Sequence, residues 1–509
     1  MKLTSLQSNK LKAMILVTIV SLTNSLVNAK EATSSNILNI DFKPGKYKVG
    51  FKEYSAKDHS RSYARIYDET GNPVNDSQPR HMQIGVWYPA AAGGDQMTYQ
   101  DYLNLNISRQ TNEPKSKEAI AQQRAMFLNF GDKSTLEPLL DKPTMAYQNA
   151  PQVKGHFPLV LYTPREHRGI HLNHVMIEQL VSHGYIVVST PSRSLAEGNS
   201  GTMPQQGFAS SNLADFRFAK AFMHNFPNVN FDKVGIISLT AGASAGITLA
   251  NTDYSVDAIV SLQGSIGTER INELQRRNRH EMLTPQNLRA DLLHFNGKIW
   301  PGSQKSTFIK DAHYAERFEY DFNLQHAFAL NAHFLVTFLQ AKGKDISQDK
   351  KDYKQATEMT IDFLNQKLKN HSSSWLKKHN NKLIRYRAHK EPPSEKQFLT
   401  LLFKQNTQAL FDQVEQIRKI DPTHKFTSGW RLNKLGYDQL DSENIEKALM
   451  FFRMNLLLYP DNANYYDSYA EALLKAGQEP EAKINYKKAL ELNPSEKLKQ
   501  SIKAILKSL

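Results

Sequence analysis

The sequence predicts a doubly wound, mostly parallel α/β sheet followed by an all-α helical-repeat domain. Three observations carry that prediction. Short, wholly apolar runs such as "FPLVLYTP" and "KVGIISL" alternate with helical stretches, the pattern of strands buried on both faces by crossover helices. After about Lys342 the sequence turns to charged helices. The last 80 residues repeat at a spacing of 34. A chain of 509 residues is also too long for one core.

At the N-terminus, Lys2, Lys10 and Lys12 precede an apolar run from Ala13 to Val20. Val27 and Ala29 suit the small-residue positions before a cleavage, so residues 1–29 are expected to be an export signal. The run is short beside the roughly 20 residues of a membrane span. No later segment is long enough to cross a bilayer, and the expected location is a bacterial periplasm or the exterior. The chain has no cysteine, so an oxidising compartment poses no hazard. Its net charge of +14 is spread along the chain, densest after Lys342, with no recognition motif beside it. Nucleic acid is therefore not an expected partner.

Residues 30–342 carry the expected sheet domain. "KYKVGFKEY" and "HMQIGVWYP" alternate in polarity and are rich in β-formers. Residues 95–152 are polar and are expected to be an insertion with some helix. "FPLVLYTP" and "YIVVSTP" are buried strands flanking the helix "HVMIEQLVSHG", which Gly184 stops. The helix "LADFRFAKAFMHNFP" ends at Pro227, and "KVGIISL", "DAIVSLQG", "ADLLHFNG" and "ERFEYDF" complete the strands. Residues 343–393 are expected to be a helical linker, and residues 394–509 the repeat domain. "KEPPSEKQ" marks the boundary, with Ser394 and Gln397 as a capping box.

The repeats, 429–462 and 463–496, match Pro460 with Pro494, Ala448 with Ala482, Phe452 with Tyr486 and Gly436 with Ala470. Small residues where helices touch, large ones in the gaps and a closing proline resemble tetratricopeptide repeats. That resemblance implies a peptide or protein partner. Two repeats bury little surface alone, so the Ser394–Ile420 helices are expected to act as a degenerate first unit, with "EKLKQSIKAILKSL" as a cap.

The stretch "KVGIISLTAGASAGITLA" offers two registers for a strand-to-helix turn bearing a nucleophile. Gly242-Ala243-Ser244-Ala245-Gly246 is a complete G-x-S-x-G, with glycine on both sides of a serine. It implies a strand running to Ala241 and makes Ser244 the preferred nucleophile. The other register, "SLTAG", centres on Thr240, whose methyl group would crowd the turn.

In order, "QIGVWYPA", "FPLVLYTP", "QLVSHGYIVVSTPS", "KVGIISLTAGASAG", "AIVSLQGS" and "NLQHAF" resemble α/β-hydrolases, specifically the secreted dienelactone-hydrolase and platelet-activating-factor-acetylhydrolase-like branch. The resemblance spans about residues 45–340. It implies a nucleophile, histidine and carboxylate triad, an ester-like small-molecule substrate and no cofactor. Counted from Val234, the family nucleophile falls near Thr240, against the preference for Ser244. The resemblance places the histidine at His326. It provides no acid: Gln263 stands where this branch often has a carboxylate, and Asp321 is too near His326 along the chain. The oxyanion-loop His-Gly is replaced by "TPREHRG".

His167, His171, His174 and Glu178 follow i, i+4, i+7, i+11 spacing, but a loop start makes solvated histidines the expectation rather than a metal site. Arg165 and Arg168 suit an anionic ligand at the mouth of the sheet. Two functions stay open. One is an exported serine hydrolase with a protein-binding repeat module. The other is a catalytically degraded hydrolase fold acting as a binding or scaffold protein.

Overall fold

The structure is a computed structural model. It describes residues 36–62, 79–107, 116–165, 169–192, 208–240, 242–264, 285–296, 307–322, 326, 329–372, 383–391, 395–404, 407–421, 424 and 428–509. The expected export segment, residues 1–29, lies outside them, as do Ser394, His167 and Arg168. The chain divides into two units, Met1–Arg387 and Ala388–Leu509.

The first unit is built on one sheet. Its strands are β1 (Lys48–Ser62), β2 (Pro79–Ala90), β3 (Asp95–Thr98), β4 (Pro143–Gln148), β5 (Phe157–Thr163), β6 (Ile186–Ser189), β7 (Val229–Leu239), β8 (Val256–Leu262), β9 (Asp291–Asn296), β10 (Arg317–Asp321) and β11 (Leu383–Tyr386). They lie in the order β11-β10-β9-β8-β7-β5-β6-β2-β1-β4-β3. The stretch from β10 to β6 is parallel throughout. At one end β2 joins β6 antiparallel and β1 pairs β2, while β11 closes the other end antiparallel.

The helices of this unit are α1 (Tyr99–Asn104), α2 (Lys117–Leu128), α3 (Lys133–Leu140), α4 (His174–Ser182), α5 (Phe208–Phe222), α6 (Gly242–Thr252), α7 (Thr307–Asp311), α8 (Ala332–Phe334) and α9 (Ser347–Lys369). Strand residues alternate between two cores because successive side chains leave a strand on opposite faces. Val160, Ile237, Leu239, Val260 and Leu293 pack with Val175, Leu180, Phe363 and Leu364 of α4 and α9. Leu161, Ile236, Ile259 and Leu292 pack with Phe216, Ile247 and Leu249 of α5 and α6. Both faces are thus covered, which accounts for the continuous apolar runs.

Two boundaries differ from the sequence expectation. Residues 343–393 are not a separate linker. Helix α9 buries Tyr353, Ala356, Met359 and Phe363 in the sheet's core, and β11 is an edge strand. The charged exposed face of α9 is what reads as linker. The insertion at residues 95–152 is likewise built into the fold. Its β4 pairs with β1, β3 pairs with β4, and Tyr99 and Tyr102 are fully buried.

The second unit contains α10 (Glu395–Lys404), α11 (Thr407–Ile420), α12 (Gly429–Asp441), α13 (Ile445–Leu458), α14 (Ala463–Lys475), α15 (Glu479–Glu491) and α16 (Glu496–Ser508). The pair α12–α13 recurs 34 residues on as α14–α15, with Gly429 matching Ala463 and Ile445 matching Glu479. Gly436 lies against the Phe452 ring so closely that a Cβ there would sit 2.5 Å from a ring carbon. Phe398, Leu402, Leu410 and Val414 of α10 and α11 share a core with Leu432, Phe451 and Met454. Ile502 of α16 packs with Ala470, Leu473 and Tyr486.

Candidate active site

The parallel strands end along one edge of the sheet, where backbone bonds continue past the strand ends. The N–H of Thr240 donates to Leu262 O at 3.0 Å, that of Gln263 to Phe295 O at 3.0 Å, and that of Phe322 to Asn296 O at 3.2 Å. Ligands of open α/β sheets sit outside such an edge.

Thr240 is the corner between β7 and α6. Its φ is +49°, a left-handed conformation that β-branched residues rarely adopt. Its Oγ1 is buried and has no hydrogen-bond partner among the described residues. The strand stops at Leu239 and the helix begins at Gly242, so the turn lies earlier than the G-x-S-x-G register implied. Ser244 is the third residue of α6, half-buried, with its carbonyl accepting the Thr248 hydroxyl at 2.8 Å.

The glycines around Ser244 have a different explanation. A Cβ at Gly242 would sit 2.6 Å from Pro164 O, at the end of β5. One at Gly246 would overlap the Ser238 hydroxyl. Both glycines let α6 approach the strands beneath it, and the pentapeptide is a packing motif at the helix start.

The carboxylate that the sequence reading did not find is Asp349. Its Oδ2 lies 2.9 Å from Nδ1 of His326. Asp349 is fully buried in the first turn of α9, where the positive end of the helix favours a carboxylate, while the His326 side chain is 27% exposed. A carboxylate accepts, so Nδ1 is the donor, and in the neutral ring that leaves Nε2 free to act as the base. Asp321 is engaged elsewhere, accepting from Asn296 Nδ2 at 2.8 Å. Gln263, also left-handed at φ +51°, accepts from Leu330 N at 3.4 Å. The sequence signal for Asp349 was its place one turn before Tyr353 and two before Ala356 on the buried stripe of α9.

The same unit holds a buried polar cluster. Trp87 Nε1 donates to the Tyr102 hydroxyl at 2.8 Å, and that hydroxyl donates to Glu178 Oε1 at 2.8 Å. Burial pushes Glu178 up to about 7 and His174 down to about 4. The His174 ring lies 4.5 Å from that of Tyr102, and Tyr99 OH bonds His333 Nδ1 at 2.5 Å. His171 and His174, expected to be solvated, are buried here because the segment packs under α1 rather than opening to solvent. Among the described residues no group of three or more His, Cys, Asp or Glu could hold a metal ion.

The strand order and the corner after β7 define an α/β-hydrolase-like fold. Residues 212–387 match the family model described as "BAAT / Acyl-CoA thioester hydrolase C terminal". That match runs from α5 through β11 and takes in Thr240, His326 and Asp349. Among solved structures, a ferulic acid esterase from Streptomyces cinnamoneus is similar at 15% identity and a TM-score of 0.48. The similarity covers 68% of this chain and 98% of that one. A comparison with curated proteins found no match.

Proposed function

We propose that the first unit is an acyl hydrolase acting on an ester or thioester, with Thr240 as nucleophile, His326 as base and Asp349 as the acid that orients it. The observation that carries this reading is the His326–Asp349 pair, its carboxylate fully buried, in a unit whose left-handed corner at the end of the central strand β7 bears a hydroxyl. In the proposed cycle His326 Nε2 takes the Thr240 proton as Oγ1 attacks the acyl carbon. It then returns that proton to the leaving alcohol or thiol. Water, activated by the same imidazole, releases the acid. Similarity to an acyl-CoA thioester hydrolase family supports an acyl substrate. The segments quoted above favour the secreted dienelactone-hydrolase-like branch.

The proposal extends to the rest of the chain. The 34-residue helix pairs are read as tetratricopeptide-type repeats that dock a peptide or protein partner, and the N-terminal segment as a signal for export to the periplasm or exterior. A degraded, non-catalytic scaffold is the alternative outcome of the test.

The test is hydrolysis of p-nitrophenyl acyl esters and acyl thioesters by the full-length chain. Thr240→Ala and His326→Ala are expected to abolish turnover, and Ser244→Ala to retain it. Turnover that depends on Ser244 and not on Thr240 would refute the assignment.

A further inference from the structure

Asn173 occupies the N-cap position of α4, where an asparagine side chain ordinarily accepts a bond from the first turn. Here it makes no such bond. The side chain is completely buried, and both its ends reach distant segments. Nδ2 donates to Leu330 O at 3.0 Å, and Oδ1 accepts from Ala332 N at 3.0 Å. Oδ1 also accepts from the Tyr353 hydroxyl at 3.2 Å.

Those partners belong to the two arms of the His326–Asp349 pair. Leu330 follows His326 by four residues in the connection between β10 and α8, and Ala332 opens α8. Tyr353 lies one helical turn beyond Asp349 on α9 and is itself fully buried. The neighbouring N–H of His333 donates to Leu172 O at 3.3 Å, so the two connections also meet through their backbones. A single amide thus bonds the histidine's connection on one side and the aspartate's helix on the other. It does so instead of a local cap that would satisfy its own helix.

We propose that Asn173 is a positioning residue that fixes the separation of His326 from Asp349, and through it the orientation of the base. This rests on the acyl-hydrolase reading above for its catalytic consequence, and on geometry alone for its effect on the pair. Loss of the amide lets the two arms relax independently, and small misplacements of a catalytic group reduce turnover steeply.

The experiment uses the full-length chain with Asn173→Leu, close in shape but unable to hydrogen-bond, and Tyr353→Phe, which removes one of the three bonds. Downfield proton NMR reads the Nδ1–H of His326, assigned by its loss in Asp349→Ala. Initial rates on a p-nitrophenyl acyl ester give kcat and KM separately. In folded Asn173→Leu the resonance is expected to weaken or vanish, with kcat lower by roughly 10²-fold and KM within about threefold. Tyr353→Phe is expected to lose about tenfold in kcat. A wild-type resonance in folded Asn173→Leu overturns the proposal. If that variant does not fold, a wild-type resonance and kcat in Tyr353→Phe overturn it instead. Failure of the hydrolase reading is separately visible as no ester turnover by the wild type, and the resonance then still decides whether Asn173 holds the pair.

Discussion

His326 and Asp349 meet at 2.9 Å although the carboxylate follows the histidine by 23 residues in the chain. In the proposed triad the order along the sequence is Thr240, His326, Asp349, whereas α/β-hydrolases place the acid before the histidine. Geometry rather than order defines such a group. Helix α9 places Asp349, in its first turn, beside the imidazole of His326.

Asp349→Asn should keep the fold and lower ester turnover by roughly 10⁴, because an amide no longer holds the imidazole in its basic tautomer. Asp321→Asn, at the carboxylate nearer in sequence, should stay close to wild type. Steady-state kinetics of the two variants side by side checks this.

The corner itself carries strain. Thr240→Gly removes a Cβ from a left-handed position, so unfolding in urea should show a gain of about 1 kcal/mol. The same variant should lose all turnover. A loss of stability would mean that packing of the threonine methyl outweighs the backbone strain.

The two glycines beside Ser244 should matter more than the serine does. Gly246→Ala drives a methyl into the Ser238 side chain and should cost about 2 kcal/mol. Ser244→Ala should change stability by less than about 0.5 kcal/mol. Thermal melts of both variants test the packing account of this pentapeptide.

Glu178 gives a pH signature. Burial raises it from an ordinary value of 4.5 to about 7, so the folded state keeps this proton longer than the unfolded chain. Its contribution is fully present below pH 4.5 and is lost as the pH rises to about 7. His174, held down to about 4, acts in the opposite sense, its contribution being lost as the pH falls from 6.5. The two slopes oppose each other through most of this range. Subtracting wild-type from Glu178→Gln stability isolates the carboxyl, and the difference should rise by about 3 kcal/mol between pH 4.5 and 7. A flat difference in urea titrations would show that Glu178 ionises freely in the folded protein.

Much of the fold was legible because buried strands such as "FPLVLYTP" and "KVGIISL" announce themselves by composition. The repeats were legible because helix contacts recur every 34 residues. The turn after β7 was not. Small residues run from Ala241 to Gly246, and either register satisfies a local steric rule. The choice is made by Pro164 and Ser238, which lie far away in sequence or on the opposite side of the strand-to-helix junction. Asp349 was hidden for a related reason. It sits among Lys350, Lys351 and Lys354, and only the buried stripe through Tyr353, Ala356 and Phe363 identifies its face. Asn173 carried no local signal, since all three of its partners are distant in the chain.

The most direct measurement is to treat the full-length chain with a fluorophosphonate and locate the adduct by peptide mass spectrometry. The account predicts phosphonylation of Thr240, lost in His326→Ala and strongly slowed in Asp349→Asn. An adduct on Ser244, or no adduct at all on the folded protein, would contradict it.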